Sequence, residues 1–158
     1  MLKLKYKSYL LCKKLKRENL TISLAESCTG GLLSSILTSY SGASSYFKAA
    51  LIVYSNQAKS KLLNIDEALI QNKGAVSESV AIELCKNLIK QQKTDLALAI
   101  TGIAGPKTDL SNKPVGLVYI SLSKKNTTIA KKYNFSGNRS KIRKLSCLAA
   151  IDLIKENI

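Results

Sequence analysis

Short apolar runs alternate along this chain with segments of helical spacing, and three of the runs end in a polar turn. These three runs cover residues 20–25, 49–54 and 96–100. Apolar runs of this length, bounded by glycine and serine, are typical of buried strands. Because strands that alternate with helices form a sheet covered on both faces, we predict an α/β fold, a three-layer α/β/α sandwich with a mixed β-sheet.

The segments between the runs carry apolar residues three and four positions apart, which predicts helices. The predicted helices cover 5–19, 31–40, a segment with Ala58, Lys59, Leu62 and Leu63, a segment that Ser77 caps and that ends near Gln91, and 139–157. Two more strands, 115–123 and 129–135, flank Lys124-Lys125-Asn126 and indicate a hairpin. No repeat or linker divides the chain, so we expect a single domain over residues 1–158.

The chain is strongly basic, with a formal net charge of +15 at pH 7. Its lysines occur in every segment rather than on one recognition helix, and aromatic residues make up only 6%. This pattern is typical of solvated helix faces and lacks a known nucleic-acid-binding motif. The positive field favours an anionic small-molecule substrate, and we expect no specific nucleic-acid partner.

No apolar run approaches the roughly 20 residues that cross a bilayer, and lysines interrupt the N-terminal segment where an export signal needs apolar residues. We therefore expect a cytoplasmic protein with no membrane partner. The cysteines at positions 12, 28, 85 and 147 have no CxxC spacing. This arrangement favours reduced thiols over a zinc site or disulfides.

The chain contains no histidine. This excludes the Ser-His-Asp triad, the Cys-His pair and any histidine general base, so a catalytic base must be Lys, Asp, Glu, Tyr or water. Polar segments 26–31, 54–59 and 101–106 each follow a predicted strand. Because sites in open α/β sheets gather beyond the carboxyl ends of strands, we expect these three segments to form the site.

Ser27 is the candidate nucleophile, because it follows a strand and precedes a helix whose N–H groups could stabilise an oxyanion. The alternative is that Ser27 only caps that helix. Cys28 is a rival nucleophile, since a thiolate at a helix N-terminus needs less activation than a hydroxyl. We rank Cys28 second and expect it to pack inward.

Lys59 is the candidate base for Ser27, because it follows a core strand and a polar loop rather than lying in a run of lysines. At the ordinary lysine pKa near 10.4, only about 0.1% is neutral at pH 7.4, so the pKa must fall. Burial and nearby positive charge can lower it by about three units. The alternative is a solvent-facing lysine on an exposed turn.

Thr29, Gly30 and Gly31 suit a close approach of the backbone to a ligand, including a phosphate group. Arg139 and Arg143 lie four apart at the start of the last predicted helix and could clamp a phosphate. The alternative for both arginines is an ordinary place on a helix surface. Neither the GxxxxGK[ST] nor the GxGxxG pattern is present, so the sequence does not indicate binding of a nucleoside triphosphate or a dinucleotide.

Seven motifs together resemble the nicotinamide-nucleotide amidase family, the stand-alone form of the CinA C-terminal domain. In order, the motifs are AESCTGG (25–31), SGASSYF (41–47), VYSNQAK (53–59), GAVSESVA (74–81), TGIAGP (101–106), KPVG (113–116) and SGNRSKIR (136–143). They cover nearly the whole chain, and each is weak alone while the ordered set is specific. The chain departs from the family at Asn138, where an aspartate is usual, at Ala50, where a glycine is usual, and in the loop that follows Pro106.

The resemblance implies hydrolysis of the carboxamide of nicotinamide mononucleotide to nicotinic acid mononucleotide and ammonia, without a cofactor or metal. It implies that Ser27 attacks, Lys59 takes its proton, and Tyr54 and Thr101 orient groups or relay protons. The substrate-binding residues it implies are Cys28, Thr29, Gly30, Gly31, Ser44, Gly102, Gly105, Arg139 and Arg143. It also implies a homo-oligomer. The alternative function is a catalytically degenerate CinA-like protein that binds a nucleotide or serves competence.

Overall fold

A computed structural model describes residues 2–108 and 112–158. The described chain contains six α-helices, five β-strands and one 3-10 turn, Ala43–Ser45. The helices are α1 (Leu2–Arg17), α2 (Leu32–Thr38), α3 (Asn56–Leu63), α4 (Glu67–Lys73), α5 (Glu78–Gln92) and α6 (Arg139–Glu156). The strands are β1 (Ile22–Glu26), β2 (Phe47–Ile52), β3 (Leu96–Gly102), β4 (Leu117–Lys124) and β5 (Thr127–Asn134).

The five strands form one mixed sheet in the order β2-β1-β3-β4-β5. Strand β1 is parallel to both neighbours, with Glu26 opposite Ile52 on one side and Ile100 on the other. Strand β4 is antiparallel to both of its neighbours, β3 and β5, and β4 and β5 form the expected hairpin. The carboxyl ends of β1, β2 and β3 therefore meet at one edge of the sheet.

Helices cover both faces of the sheet. Leucines of α1 and α2 and apolar residues of α6 pack with Ile22, Leu24 and Leu98 on one face. On the other face, residues of α3, α4 and α5 pack against the small side chains of Ala25, Ala97 and Ala99. Alternate residues of one strand thus enter opposite cores, as the pleat requires. The predicted α/β/α sandwich with a mixed sheet is confirmed.

One helix was missed and several boundaries differ. Helix α4 has seven residues, and Asp66 caps it by accepting a hydrogen bond from the amide of Ala68. So short a helix gives little periodic signal, which is why the pattern did not predict it. Strand β2 begins two residues before the predicted start, at Phe47. None of the helices within 2–108 and 112–158 combines the length and apolarity needed to cross a bilayer.

Candidate active site

Ser27 lies at the carboxyl edge of the sheet, one residue beyond β1. Its backbone N–H donates to the carbonyl oxygen of Ile100 at 3.0 Å. On the other side, the N–H of Val53 donates to the carbonyl of Glu26 at 2.8 Å. The sheet pairing therefore continues past the formal end of β1. As a result, the segments after all three parallel strands meet around Ser27.

Lys59 reaches Ser27 from the second turn of the helix that follows β2. Ser55 caps α3, because its hydroxyl accepts a hydrogen bond from the amide of Ala58 at 3.0 Å. One residue later, Lys59 points into the protein and is only 1% exposed. Its Nζ lies 3.3 Å from Ser27 Oγ and donates to the carbonyl of Val53 at 2.9 Å. The expected serine–lysine contact is thus present in the structure.

The environment of Lys59 increases the fraction of neutral amine. No carboxylate among the described residues forms an ion pair with it. Burial therefore lowers the pKa of Lys59 from 10.5 to about 8. At pH 7.4 this leaves roughly a fifth of the amines neutral, compared with about 0.1% for an ordinary lysine. A neutral amine keeps its N–H bond to Val53 while its lone pair accepts the Ser27 proton.

The turn after Ser27 is held by Glu26, which the sequence analysis did not single out. This side chain is completely buried. Its Oε2 accepts the amides of Gly31 and Leu33 at 3.0 and 3.2 Å, and its Oε1 accepts the amide and hydroxyl of Ser34. Helix α2 has no capping side chain at Gly31, so the strand residue Glu26 satisfies its first amides instead.

Two amides of the turn donate no hydrogen bond within the described structure. The N–H of Gly30 donates to the carbonyl of Ser27 at 3.0 Å, and Glu26 occupies the amide of Gly31. The amides of Cys28 and Thr29 donate to no acceptor among the described residues. Gly30 and Gly31 have φ values of 56° and 88°, a left-handed conformation that glycine adopts without strain. Among the amides of the turn, those of Cys28 and Thr29 are therefore the candidates for an oxyanion site, and of these two residues Cys28 lines the cleft.

A cleft of about 250 Å³ opens over Ser27. Its walls are formed by Ser27, Cys28, Tyr54, the 102–105 segment, Lys107, Thr108 and Arg139. At its mouth, Arg139 donates to the Tyr54 hydroxyl and to the carbonyl of Gly105, both at 2.7 Å. The described lining contains two cations and no carboxylate, so the cleft suits an anionic ligand.

Close packing requires glycine at position 102 of this cleft, and burial makes the thiol of Cys28 unreactive. A Cβ on Gly102 would lie 2.7 Å from Val118 Cγ2 and 2.9 Å from the Leu117 carbonyl oxygen, so only glycine fits there. Cys28 is 6% exposed and packs inward, as expected. Burial raises the pKa of its thiol to about 11, so the thiol stays protonated at neutral pH and is a poor nucleophile.

Three of the predicted site residues lie elsewhere or are engaged. Ser44 lies in the 3-10 turn before β2, at the amino edge of the sheet, roughly 16 Å of strand away from Ser27. It does not belong to the group around the cleft. Thr101 donates to the carbonyl of Ala75 at 2.8 Å and forms no hydrogen bond with Ser27 or Lys59 in the described structure. Arg143 is engaged by the carbonyl of Thr29 and does not line the cleft.

Asn138, one of the departures from the family motif, keeps a structural role. Its Oδ1 accepts the amide of Lys141 at 2.9 Å and so caps α6. Asparagine caps helices about as well as aspartate, so the change preserves the placement of Arg139. Part of the altered loop, 109–111, lies outside the described residues. Glu26 and Lys107 were missed because neither their residue type nor their spacing marks a site.

The model of the CinA C-terminal domain family matches residues 6–158. A CinA-like protein from Prochlorococcus marinus (strain AS9601) is 49% identical over 150 residues, which are 91% of this chain and 35% of that protein. A CinA-like protein from Syntrophomonas wolfei is 47% identical over 137 residues, 87% of this chain and 33% of that protein. The chain thus spans about a third of the length of these relatives.

Solved structures of similar length agree closely with this fold. A competence-damaged protein (CinA) superfamily protein from Escherichia coli aligns with a TM-score of 0.94 at 27% identity, covering 98% of this chain and 90% of that one. A competence/damage inducible protein from Agrobacterium tumefaciens aligns with a TM-score of 0.93 at 28% identity, covering 98% and 94%. Together with the family model, these matches show that the chain belongs to the CinA C-terminal domain family.

Proposed function

We propose that this chain hydrolyses the carboxamide of nicotinamide mononucleotide, giving nicotinic acid mononucleotide and ammonia. One observation carries the proposal: Ser27 Oγ lies 3.3 Å from the amine of a lysine that is buried without a carboxylate partner in the described structure. A lysine that shifts its pKa in this way is a known general base for serine. The motif resemblance to nicotinamide-nucleotide amidases supplies the substrate.

Acylation begins with neutral Lys59, whose Nζ accepts the hydroxyl proton as Ser27 Oγ attacks the carboxamide carbon. The carbonyl oxygen becomes an oxyanion and accepts hydrogen bonds from the amides of Cys28 and Thr29. The C–N bond then breaks, and protonated Lys59 returns the proton to the departing nitrogen, which leaves as ammonia. The product of this half-reaction is an ester between Ser27 and the nicotinoyl group.

Deacylation uses the same groups in the reverse order. A water molecule in the cleft gives a proton to Lys59 and attacks the ester carbon. The two amides stabilise the second oxyanion, and Lys59 then protonates Ser27 Oγ as the acid leaves. Each cycle consumes one water molecule and restores the neutral lysine, so no cofactor is needed.

The mouth of the cleft suits the charged part of the substrate. Arg139 and Lys107 line the cleft and are exposed, whereas Lys59 is buried. Each terminal nitrogen of Arg139 has a second N–H besides the one that it donates to Gly105 or Tyr54, and two such N–H groups can bind a phosphate. Tyr54 has a 57% exposed side chain beside them, and its ring offers a face to the cationic pyridinium. We infer that the phosphate docks at the mouth, which directs the carboxamide toward Ser27.

The decisive experiment incubates the purified protein with nicotinamide mononucleotide and measures ammonia and the acid product. We expect turnover by the parent and a loss of at least about 10³-fold in Ser27→Ala, because no other nucleophile replaces the hydroxyl. Ser45→Ala, an exposed serine at the opposite edge of the sheet, is the matched control and should keep full activity. Unchanged activity in Ser27→Ala would refute the nucleophile assignment.

The same experiment separates the enzyme from a non-catalytic nucleotide-binding protein, the alternative function. If the parent binds nicotinamide mononucleotide in calorimetry but releases no ammonia, the binding protein is favoured and the amidase proposal is refuted. If it releases ammonia from simple nicotinamide as rapidly as from the mononucleotide, the proposed docking of the phosphate at Arg139 and Lys107 is wrong.

A further inference from the structure

Arg143 contacts the turn formed by residues 27–31, but it does not line the cleft. It lies in the second turn of α6, and its Nε and Nη2 donate to the carbonyl oxygen of Thr29 at 3.2 and 2.6 Å. The same oxygen accepts the amide of Leu32 at 3.1 Å. Arg143 is half-buried and does not appear among the cleft walls. Arg139 also donates two hydrogen bonds within the protein, but it lines the cleft, whereas Arg143 reaches only the backbone of the turn.

This contact holds the peptide unit between Thr29 and Gly30 at both ends. Its carbonyl accepts Arg143, while its N–H donates to the carbonyl of Ser27 at 3.0 Å. A peptide unit next to glycine rotates easily, because glycine accepts conformations that other residues do not. Rotation here would swing the Thr29 carbonyl away from Arg143 and would reorient the adjacent amides of the oxyanion site.

The rest of the turn is fixed by a separate contact. Glu26 accepts the amides of Gly31, Leu33 and Ser34, which secures the turn from its helical end. Between Ser27 and that end, Arg143 is the one side chain among the described residues that hydrogen-bonds to the backbone of the turn. Preorganised donors stabilise an oxyanion far better than donors that must reorient during the reaction.

We propose that Arg143 is a positioning residue that orients the Cys28 and Thr29 amides for the oxyanion, and that it does not bind the phosphate of the substrate. This inference rests on the proposed function, because it assigns a role within the same acyl-transfer site. It separates the two arginines of the motif by role: Arg139 faces the ligand, and Arg143 holds the backbone that faces the ligand's carbonyl.

Steady-state kinetics of Arg143→Met test this role against phosphate binding. We expect kcat to fall roughly 10- to 100-fold while KM changes less than about threefold, because the transition state loses stabilisation and the substrate does not. The midpoint of the pH profile, which Lys59 sets, should stay in place. Lys144→Met is the matched control, since Lys144 is the next residue in α6 and is exposed. A large rise in KM with unchanged kcat would overturn the proposal.

Two further measurements distinguish positioning from a general loss of structure. Arg143→Lys should recover part of the rate, and millimolar guanidinium ion should partly restore Arg143→Ala, because each returns a cationic donor to the Thr29 carbonyl. A variant that loses activity only through unfolding would show a lower melting temperature and no such rescue. Absence of both rescues, with the melting temperature unchanged, would also contradict the role.

A probe that needs no nucleotide separates this inference from the proposed function. A small fluorophosphonate ester reacts with an activated serine by losing fluoride, and its phosphoryl oxygen uses the same amides. Intact-mass spectrometry follows the rate. We expect labelling of Ser27 in the parent and about 10-fold slower labelling in Arg143→Met, with Lys144→Met unchanged. If the parent is labelled but leaves nicotinamide mononucleotide intact, only the substrate is wrong. Equal rates in parent and Arg143→Met, or no labelling of the parent, would overturn the positioning role.

Discussion

Two buried ionisable side chains, Glu26 and Lys59, lie next to the candidate nucleophile, and they differ in how fully the protein satisfies them with hydrogen bonds. Glu26, immediately before Ser27, is completely buried and accepts four hydrogen bonds, three of them from the first amides of α2. Lys59 is buried to the same degree, and within the described residues it hydrogen-bonds to only two oxygens, the Ser27 hydroxyl and the Val53 carbonyl. Neither oxygen is charged, so the lysine lacks the compensation that the glutamate has.

The difference separates a side chain that holds local structure from one that can exchange a proton near neutral pH. A carboxyl group that accepts hydrogen bonds from the amides at the start of a helix fixes local structure. An ammonium group without a counter-ion is destabilised, and its pKa falls from 10.5 to about 8. That shift corresponds to roughly 3 kcal/mol of free energy that disfavours the charged lysine in the folded protein. We conclude that Glu26 maintains the turn and that Lys59 is poised to exchange a proton.

Replacing Lys59 with methionine tests this comparison most severely. We expect amidase activity to fall at least about 10³-fold, because the general base is lost. We also expect the free energy of unfolding at pH 7 to rise by roughly 1–3 kcal/mol, since an uncompensated buried charge becomes an apolar side chain of similar length. Urea unfolding and ammonia release measure the two effects. Lys61→Met, an exposed lysine of the same helix, should change neither. A less stable Lys59→Met protein would show that the charge is compensated after all.

Removing the carboxylate of Glu26 should have the opposite effect on stability. Glu26→Ala removes the acceptor from the buried amide of Leu33 and from the partly buried amides of Gly31 and Ser34, so we expect the free energy of unfolding to fall by about 3–5 kcal/mol. The matched control is Glu78→Ala in the first turn of α5, where Ser77 already caps the helix. That change should cost less than about 0.5 kcal/mol. Equal losses in the two variants would contradict the capping role of Glu26.

The pH dependence of stability tests the lowered pKa of Lys59 directly. Between the folded pKa of Lys59, about 8, and its unfolded value of 10.5, the unfolded chain binds the additional proton. The contribution of Lys59 to the free energy of unfolding therefore rises with pH between about 8 and 10.5, by at most about 3 kcal/mol in total. Below pH 8 this contribution is constant, because the lysine is protonated in both states. Activity should rise with pH around a midpoint near 8, as the neutral amine accumulates.

The measurement compares the parent with Lys59→Met at several pH values by urea unfolding. The stability advantage of Lys59→Met should shrink as pH increases from 8 to 10.5, since the penalty in the parent disappears. An advantage that stays constant over this range would mean that Lys59 remains protonated in the folded protein. The kinetic midpoint would then have to belong to another group.

Much of the site could be predicted because it depends on strand ends and residue types. Parallel strands place their carboxyl ends together, so the segments after β1 and β2 had to meet, whatever the exact boundaries. The absence of histidine then left Lys59 as the best base for Ser27. The structure places their side chains 3.3 Å apart. Ser44 lies apart from this group because it precedes β2, and a residue before a parallel strand lies at the opposite edge of the sheet.

The roles of Glu26 and Arg143 could not be predicted, because both depend on side-chain direction across the fold. Glu26 accepts hydrogen bonds from amides five to eight residues further along the chain. The chain can turn back toward Glu26 because Gly30 and Gly31 adopt left-handed conformations. Arg143 meets Thr29 only because α6 packs beside α2 on the same face of the sheet. Helical spacing placed Arg143 on one face with Arg139 but said nothing about which ligand or backbone group each would reach.

The smallest expected effect concerns Cys28, which lies between the nucleophile and the oxyanion site. Burial raises its thiol pKa to about 11, as it does for Cys85 on the opposite face of the sheet. At pH 7.4 fewer than about one thiol in a thousand is ionised, so Cys28→Ala should keep activity within about threefold of the parent. Both Cys28→Ala and the control Cys85→Ala should lose roughly 1 kcal/mol of stability, because each opens a small cavity. If Cys28→Ala abolished turnover while Cys85→Ala did not, the thiol would be the nucleophile, and the contrast between a compensated Glu26 and an uncompensated Lys59 would lose its catalytic meaning.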